Sequence, residues 1–489
     1  MQIISYKEIE YAKVLFSELN RDMRVDAEYH DPLHIRFESI QQKRKRVKIK
    51  TVAFVTDGIH ESIDFDENSG INLISAKAPK ENAFDLSGTG YISDKQHNKN
   101  LRTALRLNDV IISTVGTIGN CAVVENNILP ANSDRHVGIV RIGKNSVLPR
   151  YLSTYFATKY GKAASWRETA GNVQPNLYIR NIADLAIPLP SRVFQQRIDS
   201  LVTAAHQKKQ LAEKLYNNAE NLLLAELGLL DWKPDTIRFT LGDREFEVED
   251  SISRISCAEV LNAERMDAEH FQEKYYSARD TLVKAGAIGF TPLKELLINL
   301  TNGHTPLRHD LSVGEVPFLC AEHIADYEVT FESEKRILFK HHEKELGRTS
   351  LKNGDVLLTI KGRVGNAALV EDIPNPVNIN QDVALLRLKE TLPTWFVLAF
   401  LNSPFGKLFS QQLSTGGINP FLGLGNVRLL EIPVFSNNIM VRISDGTKES
   451  VHAAGTARTK SRQLLDQAKR AVEVFIEEGE KAAIRFLTD

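Results

Sequence analysis

Asn353 to Glu371, NGDVLLTIKGRVGNAALVE, matches Leu107 to Glu125, LNDVIISTVGTIGNCAVVE, at an offset of 246 positions. Asp355 then falls on Asp109, Gly362 on Gly116, Gly365 on Gly119, Asn366 on Asn120, Val370 on Val124 and Glu371 on Glu125. One unit is present twice. A duplicated unit implies pseudo-twofold architecture, so a function is needed that uses two similar, non-identical surfaces on one polypeptide.

The match spreads outward in both directions. Upstream, Arg24 to His30, RVDAEYH, corresponds to Arg265 to His270, RMDAEH, at an offset of 241, and Gly58 matches Gly303 in NGHTP. Downstream, Arg102 matches Arg348, Asn132 matches Asn378, and Pro175 in ETAGNVQPN matches Pro420 in STGGINPF. Between residues 45 and 145 short β-rich runs alternate with turn residues, the pattern of a compact mixed or antiparallel sheet. Each half then turns helical, at LPRYLSTYFATKYGKAA and LPTWFVLAFLNSPFGKLF, where Pro149 and Pro393 suit a first helical turn, and closes on a strand ending in Ile187-Pro188 or Ile432-Pro433.

Two long helices complete the pattern. Phe194, Ile198, Leu201, Ala205, Ala212, Leu215, Ala219 and Leu222 keep a heptad rhythm broken only at Lys208, and Gly228 is a natural stop. At about 1.5 Å per residue such a helix measures on the order of 54 Å, a strut rather than a core element. A second is expected over about 446 to 485, with Leu465, Ala468, Val472 and Phe475 in register and an opening turn weakened by Gly446 and Gly455. The expected domains are therefore 1–190, a spacer helix over 191–228, a linker with the hairpin TIRFTLGDREFEVE over 229–263, a second domain over 264–436 and a second spacer helix over 437–489. A short strand and a helix, with Tyr11, Val14, Leu15 and Leu19 on one face, are expected over residues 1 to 23. The fold class is α+β.

Composition narrows the function classes. The chain has 489 residues, 42% of them hydrophobic and 25% charged, enough for a packed core in each of several domains. Lys+Arg 61 against Asp+Glu 62 gives no global argument for nucleic acid, but six of the eight residues in Lys43 to Lys50, KRKRVKIK, are basic. Such a run neutralises phosphates or is simply a solvated face. Three scattered cysteines, Cys121, Cys257 and Cys320, suggest reduced thiols in a cytoplasmic setting, and neither a signal peptide nor a membrane span is expected.

Motifs for chemistry are sparse. No GxGxxG or GxxxxGK[ST] occurs, and VGTIGN and GRVGN lack the Lys-Ser/Thr of a phosphate loop, so they read as tight turns. His304, His309, His323, His341 and His342 match no metal-ligand spacing, and Asn419-Pro420-Phe421 lacks the second proline of an adenine-methyltransferase signature. No catalytic, cofactor-binding or metal-ligating residue is assigned. What stands out is divergence inside the shared scaffold: Val115 faces Lys361, Thr117 faces Arg363, Arg135 faces Gln381, His136 faces Asp382 and Lys77 faces His323. These are the side-chain types that discriminate base edges. The candidate DNA contacts are Lys43, Arg44, Lys45 and Arg46 for phosphates, with Lys77, Thr117, Arg135, His136, Gln174, Asn176, His304, His323, Lys361, Arg363, Asn378, Gln381 and Asn419 in the loops.

The ordered set RVDAEYH, LNDVIISTVGTIGN, IPLPSRVFQQRI, GLLDWKP, RMDAEH, NGHTPL, VPFLCAEHI, NGDVLLTIKGRVGN and IPVF resembles the specificity subunits of type I restriction-modification systems over almost the whole chain. The resemblance implies a non-catalytic subunit with two target recognition domains, each reading half of a bipartite duplex DNA site. Two long antiparallel coiled-coil helices would set the spacer and dock two methyltransferase subunits, with S-adenosylmethionine held by those partners and a restriction subunit able to join. The second half departs from the family pattern: where the first has Pro188-Leu189-Pro190 and then Gln195-Gln196, it has Pro433-Val434-Phe435-Ser436 and then Asn437-Asn438. Two other classes answer to the same residues, a stand-alone DNA methyltransferase or nuclease and a recognition scaffold of another phage-defence complex.

Overall fold

The computed structural model describes residues 24–143, 147–171, 174–234, 237–241, 244–248, 255–263, 265–306, 310–374, 376–416 and 419–488. The elements expected over residues 1 to 23, the hairpin turn Gly242-Asp243 and His309 lie outside them. The chain divides into two units, Met1–Gln210 with Ala457–Asp489, and Leu211–Thr456, so each boundary falls inside a long helix.

Each unit is built on a four-stranded antiparallel sheet. In the first, β1 (Ala53–Asp57), β2 (Val110–Ser113), β3 (Cys121–Val123) and β4 (Val137–Ile142) lie in the order β1-β4-β2-β3. In the second, β5 (Leu297–Asn302), β6 (Val356–Thr359), β7 (Ala367–Leu369) and β8 (Val383–Leu388) lie in the order β5-β8-β6-β7. The registers coincide: Val110 pairs with Val140 and Val123, and Val356 with Leu386 and Leu369. A register shift between Leu297 and Asn299 sits on the edge strand, where a bulge disturbs least. A short parallel pair flanks each sheet, Asn72–Ile74 with Ala131–Ser133 and Val316–Leu319 with Asn378–Ile379. β2 and β6 are buried along their whole length, which explains why VIIS and VLLT read as continuous apolar runs instead of alternating ones.

The helical stretch after each sheet is two helices, not one: Pro149–Ala157 and Lys159–Arg167 in the first unit, Thr394–Asn402 and Pro404–Leu413 in the second. Thr158 and Ser403 make the break, each hydroxyl accepting from the amide of Gly161 or Gly406 as an N-cap. Those glycines are required because a Cβ would lie 2.1 Å from the carbonyl oxygen of Tyr155 or Phe400. The two cores differ in chemistry. The first buries Tyr151 and Tyr155, whose hydroxyls donate to Pro188 O and Gln41 Oε1 at 2.7 Å, while the second buries Phe396, Phe400 and Phe405. Trp232 of GLLDWKP stacks on Phe405 at 4.0 Å between centroids.

The long helices span Arg192–Glu226 and Asn437–Glu478. Within the first unit Phe194 packs on Phe475 at 5.5 Å and Ser461 Oγ donates to Ala205 O at 2.7 Å. Within the second Arg442 bonds Glu226 at 2.9 Å and Gly446 meets Leu222. In both units one helix number rises as the other falls, so the segments are antiparallel. The buried seam of the first helix is Phe194, Ile198, Val202, Ala205, Ala212, Ala219 and Leu223, with Leu201, Leu215 and Leu222 on its flank. Alanine every seven residues lets the backbones come close while keeping the apolar seam continuous. The second helix starts at Asn437, the expected start of the second spacer, and runs on through Gly446 and Gly455. Glycine is poor in a helix by about 1 kcal/mol, but a Cβ on Gly446 would sit 2.6 Å from Leu222 Cδ2, so tertiary packing overrides propensity here. No helix among the described residues is long and apolar enough to cross a membrane.

Repeat-matched ion pairs tie the elements of each unit together. Asp109 accepts from Arg141 at 2.9 and 2.8 Å, and Asp355 from Arg387 at 2.7 and 3.1 Å, with each carboxylate nearly inaccessible. His206 Nδ1 meets Glu125 at 2.8 Å and His452 Nε2 meets Glu371 at 2.8 Å, fastening each sheet to the helix that follows it. His206, then Arg150, holds the Glu125 carboxyl down to about 2, against an ordinary 4.5.

Two outcomes follow from these pairs. Asp355→Ala leaves the Arg387 charge partly buried and alone, so urea unfolding is expected to report a loss of about 3 kcal/mol, with the same loss for Asp109→Ala. A carboxyl depressed in the folded state stabilises above its unfolded value and loses that contribution as pH falls toward its folded value. The thermal midpoint of the wild type should therefore drop more steeply than that of Glu125→Gln between about pH 4.5 and about 2. Equal slopes for the two proteins would show that the pair contributes nothing.

Candidate nucleic-acid interface

The paired stretches form the hairpins β2-β3 and β6-β7. At the hairpin base, Val124 N donates to Asp109 O and Val370 N to Asp355 O, both at 2.8 Å. At the tip, Gly119 N donates to Ser113 O at 3.0 Å and Gly365 N to Thr359 O at 2.9 Å. Gly116 and Gly362 have φ of 66° and 75°, Gly119 and Gly365 of 83° and 95°, so side chains are strained at both positions of the turn. Gly119 also abuts Ser165 and Gly365 abuts Ser410, which lets the tip lie against the second of the paired helices.

Other loops join this tip by the same backbone bonds in both units. Thr114 N donates to His136 O at 3.1 Å and Ile360 N to Asp382 O at 2.9 Å, bringing in the loop before β4 or β8. Leu177 N donates to Thr114 O and Leu422 N to Ile360 O, each at 2.9 Å, bringing in the glycine loop. That loop is closed on itself by reciprocal bonds between Ala170 and Asn176 and between Thr415 and Phe421. The shared backbone therefore converges three loops onto one surface per unit, and the side chains on it are free to differ.

In the first unit this surface presents exposed Thr117, Arg135 and Gln174, with half-buried His136 and Asn176. Thr117 Oγ1 donates to Ala76 O at 3.2 Å, which places exposed Lys77 beside the turn. In the second unit it presents exposed Lys361, Arg363, Gln381 and Asn419, and Thr305 Oγ1 donates to Gln381 Oε1 at 2.9 Å, which draws half-buried His304 alongside. Phe421 belongs to the same surface. Its ring is 42% exposed at the position of Asn176, and an exposed ring beside Lys361 is suited to stacking. The only sign of it in the sequence is an aromatic residue inside a Gly/Asn/Pro loop.

Two candidates belong elsewhere. Asn378 is fully buried: Thr349 Oγ1 donates to its Oδ1 at 2.6 Å, and its Nδ2 donates to Leu346 O at 3.0 Å and lies 3.1 Å from His342 Nδ1. Asn132 repeats this with Thr103, Asn100 O and His97, so the matched asparagines lock a loop and do not face a base. Arg44 donates to the carbonyls of Phe475, Ile476 and Glu477 at 2.9, 3.0 and 2.8 Å. A guanidinium there satisfies the orphan acceptors at the end of the second long helix and is not available to a phosphate.

The rest of the basic run is largely paired. Arg46, on the short strand Arg46–Lys48, bonds Glu38 at 2.6 Å, while Lys48 and Lys50 lie 3.5 and 2.6 Å from Asp184. Lys43 and Lys45 are exposed. The histidines disperse: His341 pairs with Glu345, His342 is buried against Asn378, and burial pushes the His342 imidazole down. His323 lies beside Cys320 and Glu322, whose ligand atoms are all within 4.8 Å of one another. Lys335 Nζ is 2.8 Å from Glu322 and 3.5 Å from Cys320 Sγ, so two of these three ligand atoms already contact an ammonium.

No protein-family model matches the chain. No curated protein matches it either. Among solved structures it is similar to the S subunit of a type I restriction-modification system from M. genitalium, with TM-score 0.40, 11% identity, and coverage of 88% of this chain and 95% of that one. It is similar to a chain from a structure on complex assembly and conformational transition of the type I R-M system, with TM-score 0.36, 13% identity and coverage of 89% and 97%. A third similar chain is the HsdS subunit from Thermoanaerobacter tengcongensis, with TM-score 0.27, 14% identity and coverage of 89% and 97%.

The placements separate structural from surface candidates. Asn378→Ala removes a buried amide from three partners and is expected to cost about 2–3 kcal/mol, read by chemical unfolding. Arg363→Ala, on an exposed tip, should stay within about 0.5 kcal/mol of the wild type in the same measurement.

Proposed function

We propose that this chain is the DNA sequence-specificity subunit of a type I restriction-modification assembly and carries no catalytic centre of its own. The observation that carries the reading is the pairing of matched backbone scaffolds with divergent tips, exposed Thr117 and Arg135 and half-buried Asn176 in one unit against exposed Arg363, Gln381 and Phe421 in the other. A duplicated fold that served one ligand would keep its contact residues alike. Two surfaces that share the backbone bonds joining the hairpin, the loop before β4 or β8 and the glycine loop, and differ in their base-reading side chains, suit two different half-sites on duplex DNA.

In this reading Lys361 and Arg363 supply charge-assisted bonds to phosphate or to guanine edges, Gln174, Gln381 and Asn419 supply amides for adenine, and Phe421 supplies apolar contact. Lys43, Lys45 and Lys77 hold phosphates and fix orientation without reading sequence. Two methyltransferase subunits dock on the chain and hold S-adenosylmethionine, and a restriction subunit joins where one is encoded. The sequence supports this division of labour through the nine ordered motifs that resemble specificity subunits and through the missing methyl-donor and nucleotide motifs.

The test is co-expression with the methyltransferase encoded beside this chain, followed by mapping of methylated adenines. An interrupted, two-part motif is expected, and a single continuous short motif would count against two working recognition surfaces. Arg363→Ala should relax one half of the motif, leave the other unchanged and weaken binding on the order of tenfold. Methyl transfer by the purified chain alone would overturn the reading.

A further inference from the structure

Lys208 is the one break in the heptad rhythm of the first long helix, standing where Leu201 and Leu215 stand one heptad before and one after. A lysine there forgoes apolar contact, a loss that the helix pair by itself does not explain. The charge has company. Ser461 Oγ donates to Ala205 O at 2.7 Å, so Lys208 and Lys209, within about one turn of Ala205, lie across the helix pair from Lys460 and Arg462, which flank Ser461. All four are exposed. Neither Ser200 to Gln210 nor Ala457 to Leu465 contains an Asp or Glu, and none of the four forms an ion pair with a described residue. The cations next to them are spent on the fold: His206 on Glu125, Lys469 on Glu81, Arg470 on Glu473 and Glu477.

Two of the four share a flank with the domain of the first unit. Lys209 follows His206 by three residues and Arg462 precedes Lys469 by seven, so each lies on the helix face of a residue bonded to that domain. Lys208 and Lys460, two and nine residues from the same anchors, are about half a turn out of phase. The segment that receives the anchors also holds the reading tip. Ser113 Oγ and Thr117 Oγ1 donate to Ala76 O at 2.7 and 3.2 Å, Lys469 bonds Glu81, and His206 Nε2 lies 2.7 Å from Asn82 O. From Ala76 to Asn82 the chain reaches at most about 20 Å, the length of roughly six base pairs. The fold does not require the charges. Counting from His452 and Glu220, which stand in the second unit for His206 and Lys469, the positions of Lys208, Lys209, Lys460 and Arg462 hold Ala454, Gly455, Leu211 and Glu213.

We propose that Lys209 and Arg462 hold phosphates of the duplex that runs on from the half-site read by the first unit, a deduction that rests on the specificity-subunit reading. The contact adds affinity and orientation and reads no sequence. A duplex carries one negative charge per about 1.7 Å, and cations with no carboxylate between them complement that density and release its counterions. The reading tip, one short segment away, selects a duplex over an acidic protein as the occupant.

The assembly of the full chain with the methyltransferase encoded beside it is titrated with a duplex that carries the two-part motif around a random spacer, at several salt concentrations. Lys209→Gln with Arg462→Gln removes two phosphate contacts, so the slope of log affinity against log salt should shrink by about 1.8 and affinity should fall on the order of tenfold. The methylated motif should stay the same. Lys208→Gln with Lys460→Gln makes the same change of charge on the other flank and should shrink the slope by less than half as much. Because all four side chains are exposed, thermal midpoints should stay at the wild-type value. On a duplex cut at the inner edge of the first half-site, wild type and Lys209→Gln with Arg462→Gln should bind alike. A slope within about 0.5 of wild type for Lys209→Gln with Arg462→Gln, equal losses from the two pairs, or a changed motif overturns the phosphate site and leaves the specificity reading standing. Loss of the methyltransferase from the assembly with the slope unchanged overturns it too and gives the surface to a protein. A wild-type assembly that does not bind the duplex overturns the specificity reading itself.

Discussion

A carboxylate buried at the base of each hairpin is the constraint on which the rest depends. Asp109 and Asp355 accept two bonds from an arginine on the neighbouring strand and one from the backbone of Arg106 or Lys352, while their own carbonyls pair with Val124 or Val370. A carboxyl group this deeply buried is tolerable only when it is hydrogen-bonded, and its three bonds fix β4 or β8, the hairpin base and the preceding turn in one arrangement. The tip is thereby positioned without any demand on its own side chains. This is why Thr117 and Arg363 occupy the same backbone position with unrelated chemistry.

The same logic, followed into the helices, shows that the halves are matched rather than interchangeable. Lys162 pairs with Glu81 and Lys407 with Asp326, at the same separation along the chain. The long helix that completes each cluster contributes opposite charges: Lys469 bonds Glu81 at 3.1 Å, whereas Glu220 lies by Asp326 and Lys407. Burial and the neighbouring Asp326 push the Glu220 carboxyl up, and burial pulls the Lys407 ammonium down. Exchanging the helix segments between units would put a lysine beside Lys407 and Asp326, and a glutamate beside Glu81. Each unit is electrostatically complete only with its own segments.

The frame of the fold is legible in the sequence because duplication supplies an internal comparison: matched spacings mark the hairpin, the glycine loop and the closing Ile-Pro strand without any alignment. What spacing cannot supply is burial. Residue type assigns Asn378 and Arg44 to DNA, yet one is enclosed and the other caps a helix end whose carbonyls lie more than 400 positions away, 431 for Phe475. Gly446 breaks a propensity argument for a reason visible only when Leu222 is beside it. The His206–Glu125 and His452–Glu371 pairs, by contrast, are present in the sequence as two histidines each 81 residues after a matched glutamate. They become legible only when histidines are compared across the repeat and not with their neighbours.

That comparison also sorts the surface. In a single-copy protein an exposed residue carries no mark of what it serves, since most exposed positions serve nothing. In a duplicated one, exposed and divergent positions mark what the two halves do differently, and exposed and identical positions mark what they do alike. The divergent positions gather on the loop tips that Asp109 and Asp355 hold in place; the identical ones gather on RxDAE beside them. Both sets meet at the glycine loop, where Gly171 and Gly416 line a cleft against RxDAE and Gln174 and Asn419 are exposed.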